Sequence, residues 1–296
     1  SVSTSLCHNG RPRISTCALM ALRAAFGLAI ASALLPAAAV REGPALVSGA
    51  TGKTGALVYN MLKSQQLPVR ALVRNATKAR EVLGCRRCDE SEGIFVADVT
   101  KPETLTTAMS GAGALVIATS SIPVCDPFPN CHFPKGAEPV DVDWHGANNQ
   151  LAAFARLTAD NFGQVVLISS FGTTDPKQPL NRLGNVLFYK LNFEAALMAS
   201  TLPFTIIKPC GLTDDAPAKA QLVTGHNDDI AVSPPVIGRG DVARVVVAAL
   251  QHAYIADGLR FDLCSKKGPA TSDDELPSIL ESARPRWSGI NAGLVV

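Results

Sequence analysis

The chain has 296 residues, of which 47% are apolar and 18% charged, with a net charge of +2. This composition excludes a disordered, collagen-like or polar-repeat protein and predicts a folded chain with a substantial core. At about 150 residues per domain, the length allows two domains or one large α/β domain. Three of the 27 basic residues and none of the 25 acidic residues fall in residues 1–40. The remaining 24 basic and 25 acidic residues lack the basic excess of a nucleic-acid-binding protein.

Residues 1–40 have the composition of a targeting presequence. Residues 1–23 are rich in Ser, Thr and Arg, and residues 24–40 are uncharged and end in small residues, with Ala37 and Ala39 forming an A-x-A pattern. A processing site of this kind predicts cleavage near Ala39. This two-part order resembles the bipartite presequences of plastid proteins. It leaves open the stroma and the thylakoid lumen, and the second part alone would also fit a secretory signal.

A membrane anchor is the alternative interpretation of residues 24–40. These 17 residues are mostly Ala and are interrupted by Pro36, whereas a spanning helix needs about 20 apolar residues. We therefore predict removal, and a mature protein that does not span a membrane.

Beyond Pro44, short apolar runs alternate with segments of helical periodicity. Runs unbroken by polar residues are typical of parallel strands buried on both faces. Their alternation with helices predicts right-handed βαβ units, and so a doubly wound α/β sheet, over residues 44–285. We expect a small carboxyl-terminal substrate-side region and a tail at residues 286–296. The predicted strands are 45–48, 69–73, 94–97, 114–118, 165–168, 204–207 and 260–263. The predicted helices are 52–65, 77–83, 103–109, 142–159, 184–200 and 241–252.

A glycine-rich loop joins the first predicted strand to the first helix. Glycines at this place permit a tight turn, bring backbone N–H groups close to a pyrophosphate, and let the helix pack against the strand. A P-loop would need glycine at position 47, which is Val47. The loop therefore predicts a dinucleotide site. Its candidate binding residues are Gly49, Thr51, Gly52, Lys53, Thr54 and Gly55.

The end of the second predicted strand indicates which dinucleotide binds. An acidic residue there is typical of an NAD site, and an arginine of an NADP site. The segment 69–75 has no acid, while Arg74 follows the strand and Lys78 comes one turn later. We therefore predict NADP(H). After the third strand, Asp98 is either an adenine contact or a turn former, and Val99 beside it is a candidate cofactor contact.

Four later segments carry a family resemblance: VLISSFGTT, PLNRLGN, FTIIKPCGLTDD and RGDVA. Together with GATGKTG and the acid-Trp-x-Gly pattern at residues 143–146, they resemble the atypical short-chain dehydrogenase/reductases, specifically the NmrA-like NAD(P)-binding proteins of plants and algae. The resemblance covers residues 44–285 and implies a Rossmann fold. It also implies that Thr119 and Ser120 flank the cofactor and that Ser170 is the catalytic serine. Lys190 would bind ribose as part of the catalytic site, and Pro209 would lie beside the nicotinamide with Cys210.

The typical reductase of this kind has a tyrosine four residues before the lysine, where it donates a proton to the substrate carbonyl. Here that position is Val186, and Tyr189 lies about 100° away around the helix. Lys190 is expected either to bind ribose or to pair with Glu194 one turn later.

The cysteines and a proline-rich stretch leave further alternatives open. Cys85-x-x-Cys88 has zinc half-site spacing, which Cys125 and Cys131 with His132 could complete. The alternatives are free thiols, or disulfides such as Cys125 to Cys131. We predict no metal. The stretch 121–139 follows the fourth strand, and is either a lid over the substrate or a surface excursion.

Two functions remain at this point. The first is an NADPH-dependent reductase of a small carbonyl or quinone. The second is a non-enzymatic NADP(H)-sensing regulatory or assembly protein, which the valine at position 186 permits. The sequence contains no signature of a particular substrate or protein partner.

Overall fold

The computed structural model describes residues 43–126, 130–157 and 163–285. The predicted presequence and tail lie outside these residues. No helix in the described part has both the length and the apolar content of a membrane span.

Ten strands of the described residues form one sheet, in the order β3-β2-β1-β4-β7-β8-β12-β11-β9, with β10 also paired to β12. The seven strands from β3 to β12 are all parallel. This arrangement confirms the doubly wound sheet. The strands are β1 Ala45–Ser48, β2 Val69–Val73, β3 Ile94–Val96, β4 Ala114–Ile117, β7 Gln164–Ile168, β8 Phe204–Pro209, β9 Gly211–Thr213, β10 Gln221–Gly225, β11 Val236–Gly238 and β12 Leu259–Lys266. A separate hairpin consists of β5 Val124–Cys125 and β6 Cys131–His132.

Helices cover both faces of the sheet. They are α1 Lys53–Ser64, α2 Ala76–Leu83, α3 Thr106–Met109, α4 Ala147–Leu157, α5 Val186–Met198, α6 Arg239–Gln251, α7 Ala253–Ala256 and α8 Leu276–Ser282. Side chains of α1, α2, α6 and α8 form one core, and those of α3, α4 and α5 form the other. Within β1, Val47 belongs to the first core and Leu46 to the second, because successive side chains of a strand point to opposite faces.

The observed boundaries differ from the predicted ones where the backbone departs from regular geometry. The helix predicted from residue 142 starts as a π-helical segment, Val140–Gly146, before α4. The helix predicted from residue 103 is a 3₁₀ turn, Pro102–Thr104, followed by the short α3. Hydrophobic periodicity does not distinguish these helix types, because all three bury one side.

Candidate functional site

The sheet has its topological switch point between β1 and β4, and ligands of doubly wound folds bind in the crevice at such a point. The loops after these two strands touch. Gly49 has φ +68°, and a Cβ on it would lie 2.7 Å from the carbonyl oxygen of Ala118. A Cβ on Gly55 would lie 2.3 Å from the carbonyl oxygen of Gly49. Both positions therefore require glycine, and α1 begins in direct contact with the loop.

The amino terminus of α1 is suited to an anion. The Gly52 N–H donates to the Gly49 carbonyl (2.8 Å), which closes the turn. Among the described residues no side chain caps α1, and its first turn contains no acid. Its first N–H groups and the positive end of its dipole therefore remain available to a diphosphate. This arrangement fits the dinucleotide predicted from the sequence.

The end of β2 holds the residues predicted to select NADP(H). Arg74 and Lys78 are exposed, and within the described part of the chain neither side chain makes a hydrogen bond or ion pair. Between them, Asn75 caps α2 by accepting the Lys78 N–H (3.0 Å). A contact from these two cations to a phosphate stays a prediction.

The turn after β3 carries Asp98 and Val99. Asp98 Oδ1 accepts the N–H (3.0 Å) and the hydroxyl (2.9 Å) of Thr100, the bonds of a turn former. Val99 is buried, and its carbonyl accepts the side-chain amide of Asn149 (2.9 Å). A Cβ on Gly146 would lie only 2.8 Å from a methyl carbon of Val99, so the two residues are in close contact. The turn is therefore fastened to the helix that carries Asp143, while a direct cofactor contact from it stays a prediction.

Lys190 and Asp143 form an ion pair at the carboxyl ends of the central strands. Lys190 Nζ lies 2.8 Å from Asp143 Oδ1, with side chains 12% and 1% exposed. The carboxylate also accepts the hydroxyl of Ser120 (2.8 Å) and both the N–H (3.0 Å) and hydroxyl (2.7 Å) of Ser121. Asp143 lies in the π-helical segment, a helix type frequent at functional sites. The signal in the sequence for this aspartate is the family's acid-Trp-x-Gly pattern, which does not by itself indicate a lysine partner.

The alternative of a Lys190 pair with Glu194 is wrong. Glu194 is fully buried, and its Oε2 lies 2.6 Å from Nη2 of Arg260 on β12. Its other oxygen accepts the hydroxyl of Ser169. Glu194 is therefore bound to Arg260 and Ser169, and Lys190 forms its ion pair with Asp143.

A small cavity lies beside this ion pair. Ser169 is part of its lining, whereas Ser170 donates its hydroxyl to the carbonyl of Phe171 (2.9 Å). Ser170 therefore stays a predicted catalytic residue, one position beyond the wall of the cavity. The lining residues are Ile117, Thr119, Asp143, Ala147, Leu167, Ser169, Lys190 and Phe193.

The start of α5 lacks a proton donor at the position of the typical tyrosine. Val186 is the first residue of α5. Tyr189 packs edge-to-face against Phe188, with ring centroids 5.4 Å apart and an interplanar angle of 72°. Tyr189 is absent from the lining of the cavity, in agreement with its predicted direction around the helix.

Near the carboxyl end of β8, a buried lysine joins several segments of the chain. Lys208 Nζ lies 2.6 Å from Asp228 and 2.9 Å from Asp262, and its side chain is 0% exposed. Asp228 also accepts the N–H groups of Gly172 and Thr174 (both 2.7 Å). Burial alone would raise the pKa of Asp228, but the hydrogen bonds from Lys208 and Thr174 outweigh burial and lower it. The loop after Ser170 is therefore held to β8 and β12. In the sequence, the indication of this buried ion pair is a single lysine within the mostly apolar strand FTIIKP.

A second ion-pair group connects the glycine loop to the carboxyl-terminal part. Asp214, after β9, lies 2.9 Å from Lys53 Nζ and 2.5 Å from Arg239 Nη1. The hydrogen bond from Lys53 lowers the pKa of Asp214, and Arg239 adds to this effect. The predicted cofactor residue Lys53 thus already has a carboxylate partner.

In the structure the described cysteines lie in three close pairs, each joined as a disulfide. The pairs are Cys85–Cys88, Cys125–Cys131 and Cys210–Cys264. The second is the pair that the sequence predicted as an alternative, and it closes the β5–β6 hairpin. The third joins the ends of β8 and β12, beside Pro209. Among the described residues, Cys85 and Cys88 lie with Glu92, not with Cys125 or His132, so the two zinc half-sites do not converge.

Comparison with known proteins identifies the family. Residues 49–253 match the model of a family described as NAD(P)H-binding. The chain is 36% identical over 256 residues to an uncharacterised chloroplastic protein of Arabidopsis thaliana, covering 82% of this chain and 76% of that protein. It is 33% identical over 261 residues to the sanguinarine reductase of Eschscholzia californica, covering 77% and 92% respectively. A candidate NAD-dependent epimerase/dehydratase from Bacillus halodurans has the same fold, with a TM-score of 0.63 and 22% identity over 81% of this chain and 99% of that one.

Proposed function

Because the chain belongs to the NAD(P)H-binding family of atypical short-chain dehydrogenase/reductase-like proteins, we propose that it is an NADPH-dependent reductase of a small carbonyl or quinone. The observation that carries this proposal is the Lys190–Asp143 pair, which lines a cavity together with Thr119, the residue that follows the Ala118 approached by Gly49 of the glycine loop. The reductase among its relatives supports the same chemistry.

Each part of the crevice has a role in this proposal. The loop from Gly49 to Gly55, with Thr51, Lys53 and Thr54, holds the diphosphate. Arg74 and Lys78 bind the 2′-phosphate, and the turn at Asp98 and Val99 borders the adenine. Thr119, Ser120 and Lys190 hold the nicotinamide ribose, and Pro209 borders the ring.

When bound, the nicotinamide would supply the hydride. The chain's own residues orient the substrate: Ser170 turns its hydroxyl from the Phe171 carbonyl to the substrate oxygen and polarises it. Asp143 holds Lys190 in place through the 2.8 Å ion pair. Since Val186 cannot donate a proton, the proton comes from Ser170, from water, or from solvent when the acceptor is a quinone. A quinone suits the site best, because its reduced oxygens can take protons from solvent without a positioned acid.

Cofactor choice is tested by titrating NADPH and NADH and following ligand fluorescence. A charge-assisted hydrogen bond is worth about 1.5 to 3 kcal/mol, so Arg74→Ala should weaken NADPH binding about tenfold or more and leave NADH binding nearly unchanged. The matched control is Arg156→Ala, which removes the same charge from the exposed last turn of α4. Equal losses for both dinucleotides would contradict the assignment.

Activity is tested by following NADPH consumption with a panel of quinones and aldehydes. The second candidate function is a non-enzymatic NADP(H) sensor or assembly protein, and Val186 in place of tyrosine is the observation that favours it. Tight NADPH binding without turnover on the whole panel would support that candidate instead.

We also propose a plastid location, since a relative that covers most of this chain is chloroplastic and residues 1–40 have a presequence composition. Amino-terminal sequencing of the native protein should find a start close to Val40. Intact residues 24–40 in a carbonate-resistant membrane fraction would instead indicate an anchor.

A further inference from the structure

A compact loop between α2 and β3 brings together two cysteines and a glutamate. α2 ends at Leu83, and Gly84 after it has φ +69° and turns the chain toward Cys85. Cys85 and Cys88 are 8% and 3% exposed and joined by a disulfide. Their sulfur atoms and a carboxylate oxygen of Glu92 all lie within 4.8 Å of one another. Among the described residues, no other group of three such ligands lies so close together.

Backbone hydrogen bonds hold the glutamate in this position. Glu92 Oε1 accepts the N–H of Arg86 (3.1 Å), and Oε2 accepts those of Arg87 (2.8 Å) and Cys88 (2.7 Å). The carboxylate is therefore fixed by the same loop that carries the sulfur atoms. Because a carboxylate oxygen can accept two bonds, Oε1 retains acceptor capacity for a further ligand.

The two arginines of the loop do not compete for this carboxylate with their side chains. The Arg87 guanidinium donates to the Ser91 hydroxyl (2.5 Å) and lies 3.8 Å from Asp89. The Arg86 carbonyl is held by the guanidinium of Arg80 (3.2 Å). Within the described ranges, the hydrogen-bond donors to the Glu92 carboxylate are all backbone amides, so the Cys85–Cys88 turn and the carboxylate form one preorganised unit.

We propose that this unit is a redox-gated metal site, in which the reduced thiols of Cys85 and Cys88, with Glu92, bind one thiophilic divalent cation of the zinc class. Two thiolates and a carboxylate are three ligands of a tetrahedral zinc site, and water supplies the fourth. The site lies at the opposite end of α2 from Arg74, so it does not depend on the proposed reductase activity.

The gating step is a two-electron reduction of the Cys85–Cys88 disulfide. A dithiol supplies two electrons and two protons by thiol–disulfide exchange and itself becomes a disulfide. A phosphine supplies the electrons together with one water, which gives the two protons, and becomes the phosphine oxide. Cation binding then displaces these two protons to solvent as the thiolates become ligands. Oxidation to the disulfide removes both sulfur ligands, so the oxidised protein binds no cation at this site.

The test uses the full chain reduced with a phosphine, which is then removed under anaerobic conditions. Co²⁺ is the probe, because tetrahedral thiolate coordination gives visible d–d absorption. We expect about one equivalent of Co²⁺ to bind at this site, to be displaced by Zn²⁺, and to be lost on reoxidation. In the reduced protein Zn²⁺ should also raise the Tm, because a ligand that binds only the folded state stabilises it.

Variants assign the ligands. Cys85→Ser and Cys88→Ser should each abolish this absorption. Glu92→Gln should weaken Co²⁺ binding about tenfold or more, because even the loss of a residue that hydrogen-bonds to a metal ligand lowers metal affinity by about that factor. The matched control, Cys125→Ser with Cys131→Ser, removes the cysteine pair of the β5–β6 hairpin and should leave the signal unchanged. Circular dichroism verifies the fold of each variant.

Two results would overturn the proposal. The first is a reduced wild-type protein that shows neither Co²⁺ absorption nor a Zn²⁺-dependent rise in Tm. The second is Co²⁺ binding that persists at the same affinity in folded Cys85→Ser or Cys88→Ser.

Discussion

Two buried lysine–aspartate pairs lie on the crevice side of the sheet, and they differ in what surrounds them. Lys190 is 12% exposed, lines the cavity and pairs with one carboxylate, Asp143. Lys208 is 0% exposed and lies between two carboxylates, Asp228 and Asp262. The same chemistry thus serves a candidate binding role in one place and a structural role in the other.

The two lysines differ in how their carboxylate partners would be left if the ammonium group moved away. If Lys190 turns toward a ligand, Asp143 still accepts three hydrogen bonds from Ser120 and Ser121. If Lys208 moves, two buried carboxylates lose the cation between them, and uncompensated buried charge is costly. Of the two lysines, Lys190 can therefore exchange partners more easily, and this freedom is what a ribose-binding residue needs.

The largest expected effect is on stability, in Lys208→Met. This change leaves Asp228 and Asp262 buried without that cation, which should reduce the free energy of unfolding by about 3–5 kcal/mol. Denaturant unfolding of wild type and variant measures it. A loss of less than about 1 kcal/mol would show that the pair is as replaceable as a surface ion pair.

Lys190→Met should affect NADPH binding more than stability, in contrast to Lys208→Met. We expect NADPH affinity to fall about tenfold or more, because a charged donor to the ribose is lost. The loss of stability should be smaller than in Lys208→Met, because Asp143 keeps its serine donors. NADPH titration measures the affinity of both variants, and denaturant unfolding measures their free energies of unfolding. A larger stability loss in Lys190→Met, with unchanged affinity, would reverse the comparison.

The pH dependence of stability sharpens the contrast further. The pKa of Asp228 is lower in the folded state, so its contribution is fully present above the unfolded value of about 3.9 and is lost as the pH falls through the folded pKa. Asp228→Asn removes this dependence. Acid unfolding of the variant should therefore be less steep than that of wild type below about pH 4. Identical slopes would mean that Asp228 is not the charged partner of Lys208.

The smallest expected effect is that of Tyr189→Phe, one residue from Lys190. Its phenol is absent from the cavity lining, so any NADPH-dependent turnover should stay within about twofold of wild type. A positioned general acid is worth about 10² to 10⁴ in rate, and a loss of that size would identify Tyr189 as the missing acid. Val186→Tyr is the complementary variant, and a gain in carbonyl reduction would show that the site lacks only a proton donor.

The amino-terminal half of the fold could be predicted closely from the sequence. The bounds of β1 and β2 match the predicted ones, because buried parallel strands leave unbroken apolar runs bounded by turn residues. The glycine loop was predictable for a local reason as well, since the contact that requires Gly55 is made with Gly49, only six residues away along the chain. The residues that shape this loop are therefore close together in the sequence.

The carboxyl-terminal part was less predictable because its contacts are distant in sequence. The strands β9, β10 and β11 are short, partly exposed and joined by turns, so they leave little periodic signal. Asp228 meets Lys208 and Gly172 only after the chain has folded back. Cys210 and Cys264 are paired across 54 residues. The sequence contains these residues but no spacing that links them.

The ion pair between Lys53 and Asp214 has a consequence for the order in which the chain folds. Its partners are 161 residues apart, while the Gly52–Gly49 hydrogen bond beside it is local. Contacts of large sequence separation form late, because the loop between them must close first. We therefore expect hydrogen-exchange protection during refolding to reach the glycine turn before it reaches the segment after β9. During synthesis, the Gly52–Gly49 turn can therefore form well before the ion pair between Lys53 and Asp214.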